Sequence, residues 1–200
     1  MVRRALGLDR VHLLGQSWGG MLGMAYALTQ LARLASLIVA DTPASMPQWV
    51  SEANRLRAEL PVEVQQTLLA HEMAGTTDSP EYQEAMLVYY RRHLCRVNPW
   101  PEYISRTFEK LAQNPEVYNT MNGPSEFHVI GTLKQWDITD RLSEIRAPTL
   151  VLGGRYSASS VPVVALARHP CECVCRVEPA DLRNHARAER AGVDRQSARL

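Results

Sequence analysis

Short runs of apolar residues alternate with a helical pattern along the first forty positions of the chain. The runs cover residues 10–14 and 34–40, and residues 21–31 between them have the apolar spacing of a helix. Continuously apolar strands that alternate with helices are typical of a parallel sheet with both faces covered. We therefore expect an α/β fold in this part of the chain.

The pattern changes from residue 41 to about residue 140, where helical spacing replaces the apolar runs. After a loop at 41–47, helices are predicted at 48–60, 62–75, 79–97 and 100–111, with a shorter one near Val117. Ser79 and Pro80 are typical of the N-cap and first position of a helix. We interpret this region as a helical lid over the sheet. Its aromatic residues are interpreted as packing: Trp49, Tyr82, Tyr89, Tyr90, Trp100, Tyr103 and Phe108.

The motif Gly15-Gln16-Ser17-Trp18-Gly19 lies between the first predicted strand and the first predicted helix. A serine hydroxyl is a weak nucleophile, and hydrolases place it on such a tight turn, where a base and a backbone donor can reach it. Gly15 and Gly19 are expected to allow a close approach around Ser17, and Gly20 to add space. The Trp18 N–H would donate to the oxyanion. The motif predicts a nucleophilic Ser17, with an ordinary glycine-rich turn as the alternative.

Composition excludes several classes of function. The 22 basic and 21 acidic residues form no charged block, so neither a nucleic acid nor a membrane surface is predicted as a partner. No segment approaches 18 continuous apolar residues, and no signal-type apolar region follows Met1, so we expect a cytoplasmic protein. No cofactor is predicted, and the oligomeric state stays open.

Three of the four cysteines, Cys171, Cys173 and Cys175, lie within five residues, whereas Cys95 stands alone. This spacing is not that of a disulfide framework. Together with His169 the three thiols offer a soft-metal site, but zinc ligands are usually separated by two to four residues. No metal site is therefore predicted.

Several longer segments of the chain are distinctive: the Gly15–Gly19 motif, the start of the lid near Met46-Pro47, Ser79–Ala85, Met121–Phe127, Gly131–Asp140 and Ala147–Leu152. Together they resemble the proline iminopeptidase family of α/β hydrolases, nearest to its tricorn-interacting aminopeptidases and L-amino-acid amidases. The resemblance covers roughly residues 5 to 156. It implies a partial α/β-hydrolase fold, the second half of a mostly parallel sheet with a helical lid. Residues 1–45 would form the core with the nucleophile, 46–140 the lid, 141–156 a core strand and 157–200 a foreign or disordered tail.

The resemblance also implies a function: release of an N-terminal residue, proline or a small apolar one, from short peptides or amino-acid amides. In the family, a glutamate at the position of Glu126 helps to bind the free α-amino group of the substrate. A carboxylate near the nucleophile would fix the end of the substrate chain. The alternative is a glutamate in an ordinary Gly-Pro turn.

Two departures from the family affect catalysis. The family's oxyanion loop lies before the region where this chain starts, so we expect the chain to begin within a domain. The family sequence Gly-x-Tyr-Asp-Glu, which carries the acid of the catalytic triad, is replaced by Gly154-Arg155-Tyr156-Ser157-Ala158. Both changes predict impaired catalysis.

From Ser157 onward no family segment is recognisable, and the composition changes to seven arginines with no lysine and no aromatic residue. This change indicates a shift of reading frame near Tyr156. The tail is expected not to complete the sheet in the manner of the family. His185 is the candidate base, although a histidine without a catalytic role is the simpler interpretation. An inactive remnant and an esterase of the same fold remain alternatives.

Overall fold

The residues that the structure describes contain four parallel strands: β1 (Val11–Gln16), β2 (Leu34–Ala40), β3 (Thr149–Gly154) and β4 (Cys173–Val177). They form one sheet in the order β1-β2-β3-β4. The computed structural model describes residues 2–29, 33–154 and 173–177. Because all four strands run the same way, their carboxyl ends meet at one edge of the sheet. The predicted α/β class is confirmed.

The fourth strand shows that part of the tail joins the sheet, where the sequence predicts a foreign or disordered tail. Cys173–Val177 pairs with β3 from Leu150↔Cys173 to Gly154↔Val177. Its sequence Cys-Val-Cys-Arg-Val contains two β-branched valines, which favour a pleated strand. The strand is short and stands in an arginine-rich tail, so its pattern was overlooked. The other residues from 155 onward, including Ser157, His169, Cys171 and His185, lie outside the described residues.

Every predicted helix is present, with shifted ends. The core contains α1 (Val2–Ala5) and α2 (Trp18–Ala27), and α2 begins three residues earlier than predicted because the turn at Ser17 leads directly into it. The lid contains α3 (Met46–Arg57), α4 (Val62–Ala74), α5 (Pro80–His93), α6 (Glu102–Gln113) and α7 (Glu116–Met121). Two short 3₁₀ helices, Thr132–Gln135 and Thr139–Glu144, lead back to β3.

The two larger hydrophobic cores among the described residues differ in composition. The core beneath the sheet is mainly aliphatic: Met24, Leu28, Leu37, Val39, Ile138, Leu142, Ile145 and Val151. The lid core is largely aromatic and contains Tyr82, Tyr89, Tyr90 and Phe127, with Trp49, Trp100 and Phe108 at its margin. The predicted packing role of the aromatic residues is wrong for Tyr103, which is 70% exposed on α6.

The lid is fastened to the core where the chain enters and leaves it. The Ser45 hydroxyl donates to Asp137 Oδ2 at 2.6 Å, and the Met46 N–H donates to the Trp136 carbonyl at 2.8 Å. Thr139 donates to Asp137 Oδ1 through both its N–H and its hydroxyl. Burial alone would raise the pKa of Asp137, but the hydrogen bonds from Ser45 and Thr139 lower it below its ordinary value. The hydrogen bonds from Ser45 and Thr139 therefore favour an ionised Asp137.

Candidate active site

Ser17 occupies the sharp turn between β1 and α2. Its φ of 51° and ψ of −124° lie in a region that non-glycine residues rarely adopt. The Ser17 N–H donates to the Ala40 carbonyl at 3.0 Å, so pairing with β2 continues to the residue where β1 ends. The Ser17 side chain makes no capping hydrogen bond to α2. The backbone thus fixes Ser17 while the hydroxyl stays available for another partner.

Two glycines allow this turn. A Cβ atom on Gly15 would collide with the Gly19 carbonyl, and one on Gly20 would collide with the Thr42 side chain. A Cβ atom on Gly19 would meet nothing within 4 Å, so the steric role predicted for Gly19 is wrong. Gly19 contributes its backbone carbonyl to the close contact with Gly15. Gly15 and Gly20 are the residues that require the absence of a side chain.

The residues that follow β2 support the turn from the side. Thr42 donates through its hydroxyl to the carbonyls of Ser17, at 3.1 Å, and Ala40, at 2.8 Å. Asp41 adopts a positive φ of 43°, and its Oδ1 accepts the Gly154 N–H at 3.1 Å. Asp41 therefore joins the carboxyl end of β2 to the end of β3, close to the nucleophile.

A cavity of about 360 Å³ separates the turn from the lid. Ser17 and Trp18 line it from the core, and Glu126 lines it from the lid. The remaining wall is mostly apolar: Met21, Pro43, Met46, Trp49, Leu111, Val117, Met121 and Leu133. A small apolar cavity with few polar groups suits a ligand that makes one or two directed polar contacts.

Aromatic side chains hold Glu126 in position. The Tyr118 hydroxyl donates to Glu126 Oε1 at 2.8 Å, and the Trp49 indole N–H donates to the Glu126 carbonyl at 2.6 Å. The Glu126 N–H donates to the Tyr90 hydroxyl at 3.1 Å. Side chains from α3, α5 and α7 therefore fix both the backbone and the carboxyl group of Glu126.

Burial raises the pKa of Glu126 above its ordinary value, and the hydrogen bond from Tyr118 opposes this only in part. Burial also raises the pKa of Tyr118, with the nearby Glu126 adding to the effect, so Tyr118 stays a protonated donor. No cation is paired with Glu126 among the described residues. The carboxyl group would therefore gain most from a positively charged ligand in the cavity.

The segment Asn-Gly-Pro-Ser-Glu-Phe, residues 122–127, forms the loop that carries Glu126. The Asn122 side-chain amide donates to the Tyr118 hydroxyl at 3.1 Å and to the Ser125 carbonyl at 2.9 Å. Gly123 has a φ of 126°, and a Cβ atom there would lie against the His128 carbonyl. Phe127 is buried in the lid core. Asn122, Gly123 and Phe127 thus support the conformation that places Glu126 at the cavity.

The structure brings together three of the four residues singled out from the sequence. Ser17, Trp18 and Glu126 share one cavity, whereas His185 lies outside the described residues. Trp18 is the first residue of α2, so its N–H is among those that have no acceptor within the helix. Its role toward an oxyanion stays a prediction.

Sequence reasoning missed Tyr118 and interpreted Trp49 and Tyr90 only as packing residues. Tyr118 lies eight positions before Glu126 on a six-residue helix, and nothing in the sequence indicates that their side chains meet.

The described residues contain no group of three or more His, Cys, Asp and Glu side chains suited to a metal ion. Within the same residues, no helix has the length and apolar character to cross a membrane.

Known proteins resemble this chain in sequence and in fold. A family model described as the alpha/beta hydrolase fold matches residues 1–170. The chain is 40% identical over 164 residues to a proline iminopeptidase of Saccharolobus solfataricus, a match that covers 82% of this chain and 53% of the relative. It is also 40% identical over 154 residues to a proline iminopeptidase of Thermoplasma volcanium, covering 77% and 52%. The chain thus spans about half the length of these curated relatives.

Two solved structures resemble most of the chain. The crystal structure of VinJ matches with a TM-score of 0.86 and 42% identity, covering 100% of this chain and 70% of VinJ. The crystal structure of a proline iminopeptidase from Mycobacterium smegmatis matches with a TM-score of 0.79 and 40% identity, covering 98% and 68%. Both fold and sequence are therefore shared with these proteins.

Proposed function

The chain belongs to the proline iminopeptidase family of α/β hydrolases, and from this premise we propose that it releases N-terminal residues through an acyl-serine at Ser17. The substrates would be short peptides or amino-acid amides that begin with proline or a small apolar residue. The observation that carries the proposal is that Ser17 and Glu126 line one small, mostly apolar cavity. This arrangement offers a nucleophile and an amine site on opposite walls.

Glu126 would select substrates with a free amino end. Tyr118 occupies Oε1 of Glu126, and among the described residues Oε2 is left to receive the substrate ammonium group. The ammonium group would stabilise the ionised carboxylate, which burial otherwise disfavours. An ion pair at the end of the cavity also fixes which peptide bond reaches Ser17. The enzyme would therefore cleave only after the first residue.

The chemical step would follow the serine hydrolase scheme. The Ser17 oxygen attacks the carbonyl carbon while a base takes the hydroxyl proton, and the Trp18 N–H donates to the developing oxyanion. Collapse of the tetrahedral intermediate breaks the C–N bond and returns the proton to the departing amine. Water then hydrolyses the acyl-serine ester. His185 is the candidate base for both halves.

We include reduced catalysis in the proposal because Ser157 stands where the family carries its acid. An acid holds the histidine of a triad in the correct orientation and tautomer, and loss of a triad member typically lowers kcat about 10⁴- to 10⁶-fold. The substitution Ser157→Asp restores the carboxylate at this position. It is expected to raise the rate of hydrolysis above that of the unmodified chain.

The test measures hydrolysis of L-prolyl and L-alanyl p-nitroanilides by the full chain. We expect turnover that exceeds Ser17→Ala and that falls with His185→Ala. Rates equal to Ser17→Ala in both the unmodified chain and Ser157→Asp would reject the proposal and favour an inactive remnant. The ester p-nitrophenyl acetate, which has no amine, distinguishes a peptidase from an esterase. An esterase is favoured if the chain cleaves this ester faster than the p-nitroanilides and if Glu126→Gln changes neither the ester rate nor the anilide rate.

We also propose that the protein works in the cytoplasm. Cys95 carries a free, partly buried thiol, and such thiols persist in reducing compartments. Cell fractionation with an antibody to the chain tests this, and recovery in the secreted fraction would contradict it.

A further inference from the structure

A buried polar cluster lies next to the loop that carries Glu126 and lines a different cavity from the catalytic one. Glu126 lines the catalytic cavity, whereas the next residues, Phe127 and His128, line a separate cavity of about 620 Å³ together with Arg57 and Glu72. The side chains of Arg57 and Glu72 are only 14% and 7% exposed. The proposed chemistry at Ser17 does not involve this cluster.

A chain of hydrogen bonds joins the cluster to the residue before Glu126. Arg57 Nη2 donates to Glu72 Oε2 at 3.0 Å, and the fully buried Tyr82 hydroxyl lies 3.3 Å from Glu72 Oε1 and 3.2 Å from Ser125 Oγ. A hydroxyl has one proton, and a carboxylate paired with arginine accepts. Tyr82 therefore donates to Glu72 and accepts from Ser125. The His128 N–H donates to Ser125 Oγ at 3.1 Å.

The same arginine also holds the residue after Glu126. The Arg57 guanidinium lies 4.7 Å from the centre of the Phe127 ring, a cation–π distance. Ser125 and Phe127, the two neighbours of Glu126, are thus both tied to the Arg57–Glu72 pair. A third contact comes from His128, whose Nδ1 lies 3.7 Å from Glu72 Oε2.

Stability alone does not explain this arrangement. A buried ion pair with its hydrogen bonds is often no more stabilising than apolar side chains of similar volume. Such networks do specify one conformation, because each member has a fixed partner. Here the conformation specified is that of the loop carrying Glu126.

We propose that the Arg57–Glu72 pair, acting through Tyr82 and Ser125, positions Glu126 to bind the amino group of the substrate. This inference rests on the function proposed above. Tyr82, Ser125, Glu72 and Arg57 are positioning residues, since they line no part of the catalytic cavity. Loss of the Tyr82 hydroxyl would remove one of the hydrogen bonds that hold Ser125 and one of the donors to Glu72. The Glu126 carboxyl group would then sample orientations that do not meet the ammonium group.

The test measures binding rather than turnover, so that it does not depend on the catalytic base. The full chain carrying Ser17→Ala is titrated with L-prolinamide and with cyclopentanecarboxamide, which has a similar ring but no amine. The two ligands are compared in the Ser17→Ala parent and after addition of Tyr82→Phe. Addition of Tyr103→Phe is the control, because Tyr103 is exposed on α6. Thermal unfolding of each variant is followed in parallel.

We expect Tyr82→Phe to weaken binding of prolinamide about 3- to 10-fold, which corresponds to one lost hydrogen bond. Binding of cyclopentanecarboxamide, and of both ligands to the Tyr103→Phe control, should not change. Ser125→Ala is a second variant that should act in the same direction if Tyr82→Phe fails to fold.

Other outcomes would overturn the inference. Equal weakening of both ligands would indicate general loosening of the lid, and unchanged prolinamide binding would show that the cluster does not act on Glu126. If the parent bound both ligands equally, the proposed amine site would fail, and the positioning role with it. A parent that prefers prolinamide, combined with an unaffected Tyr82→Phe variant, would reject the positioning role alone.

Discussion

Ser17 and Glu126 face the same cavity, but two regions of different construction hold them. In the sheet region the backbone does so, through the unusual φ of Ser17, the absence of side chains at Gly15 and Gly20, and the bond from Ser17 to Ala40. In the lid, Glu126 is held by side chains, namely Trp49, Tyr90 and Tyr118.

The two regions should tolerate different kinds of substitution. A backbone-defined position depends on a few glycines and is insensitive to many surrounding side chains. A position defined by side chains depends on a packed core and a hydrogen-bond network contributed by several helices. Substitutions that add atoms should therefore damage the sheet region, and substitutions that remove atoms should damage the lid.

The largest loss of stability is expected from Phe127→Ala in the lid. Phe127 is 1% exposed and packs on the ring of Tyr89 at a centroid distance of 4.8 Å. Removal of a buried phenyl ring leaves a cavity and typically lowers the free energy of unfolding by about 3–5 kcal/mol. Urea denaturation measures this, with Tyr103→Ala as the control on an exposed aromatic residue. A loss no greater than that of the control would contradict the aromatic core of the lid.

The next largest change in stability is expected in the sheet region, where the backbone defines the position of Ser17. Gly15→Ala places a Cβ atom against the Gly19 carbonyl and is expected to cost about 1–3 kcal/mol or more. Gly19→Ala, only four residues away, adds a methyl group to open space in a helix and should be neutral or stabilise by up to about 1 kcal/mol. Thermal unfolding distinguishes the two. Equal losses would show that steric contact at Gly15 is not the reason for its glycine.

A pH-dependent change in stability is expected next, from Glu126→Gln. Burial raises the pKa of Glu126, so the folded chain binds more protons than the unfolded chain, and stability falls as pH rises above 4.5 through the folded pKa. Glutamine removes this loss while still accepting from Tyr118. The variant should be more stable than the unmodified chain near pH 8, with no difference below about pH 4.

Thermal unfolding across this pH range measures the effect of Glu126→Gln. Glu102→Gln is the control, because the Glu102 side chain is 87% exposed on α6. A variant that is less stable than the unmodified chain at pH 8 would show that Glu126 is stabilised by a charge in the folded protein.

The smallest change in stability is expected from replacing serines at two helix N-caps. Ser79 Oγ accepts the Tyr82 N–H at 3.2 Å in the lid, whereas Ser17 makes no such bond to α2. Ser79→Ala should therefore cost about 1 kcal/mol, and Ser17→Ala should leave stability unchanged while abolishing activity. Denaturation of both variants is the measurement. A comparable loss for Ser17→Ala would mean that its hydroxyl serves the fold.

Much of the fold was predictable because its signals are local. The apolar run at 34–40 predicted both ends of β2 correctly, and the Ser79-Pro80 pair predicted the start of α5. The strand β4 was missed because five residues in an arginine-rich tail carry little pattern. Its edge position in the described sheet comes from pairing with β3, a contact between distant parts of the chain.

The nucleophile turn could be predicted from the sequence, since a glycine-flanked serine between a strand and a helix is a short-range requirement of the backbone. The tertiary structure was needed to establish which glycines are sterically required and which side chains hold Glu126. Gly20 is constrained by Thr42, 22 positions away, and the Glu126 carbonyl is bound by Trp49, 77 positions away. Such contacts depend on how the lid packs over the sheet, and no local spacing of residues encodes them.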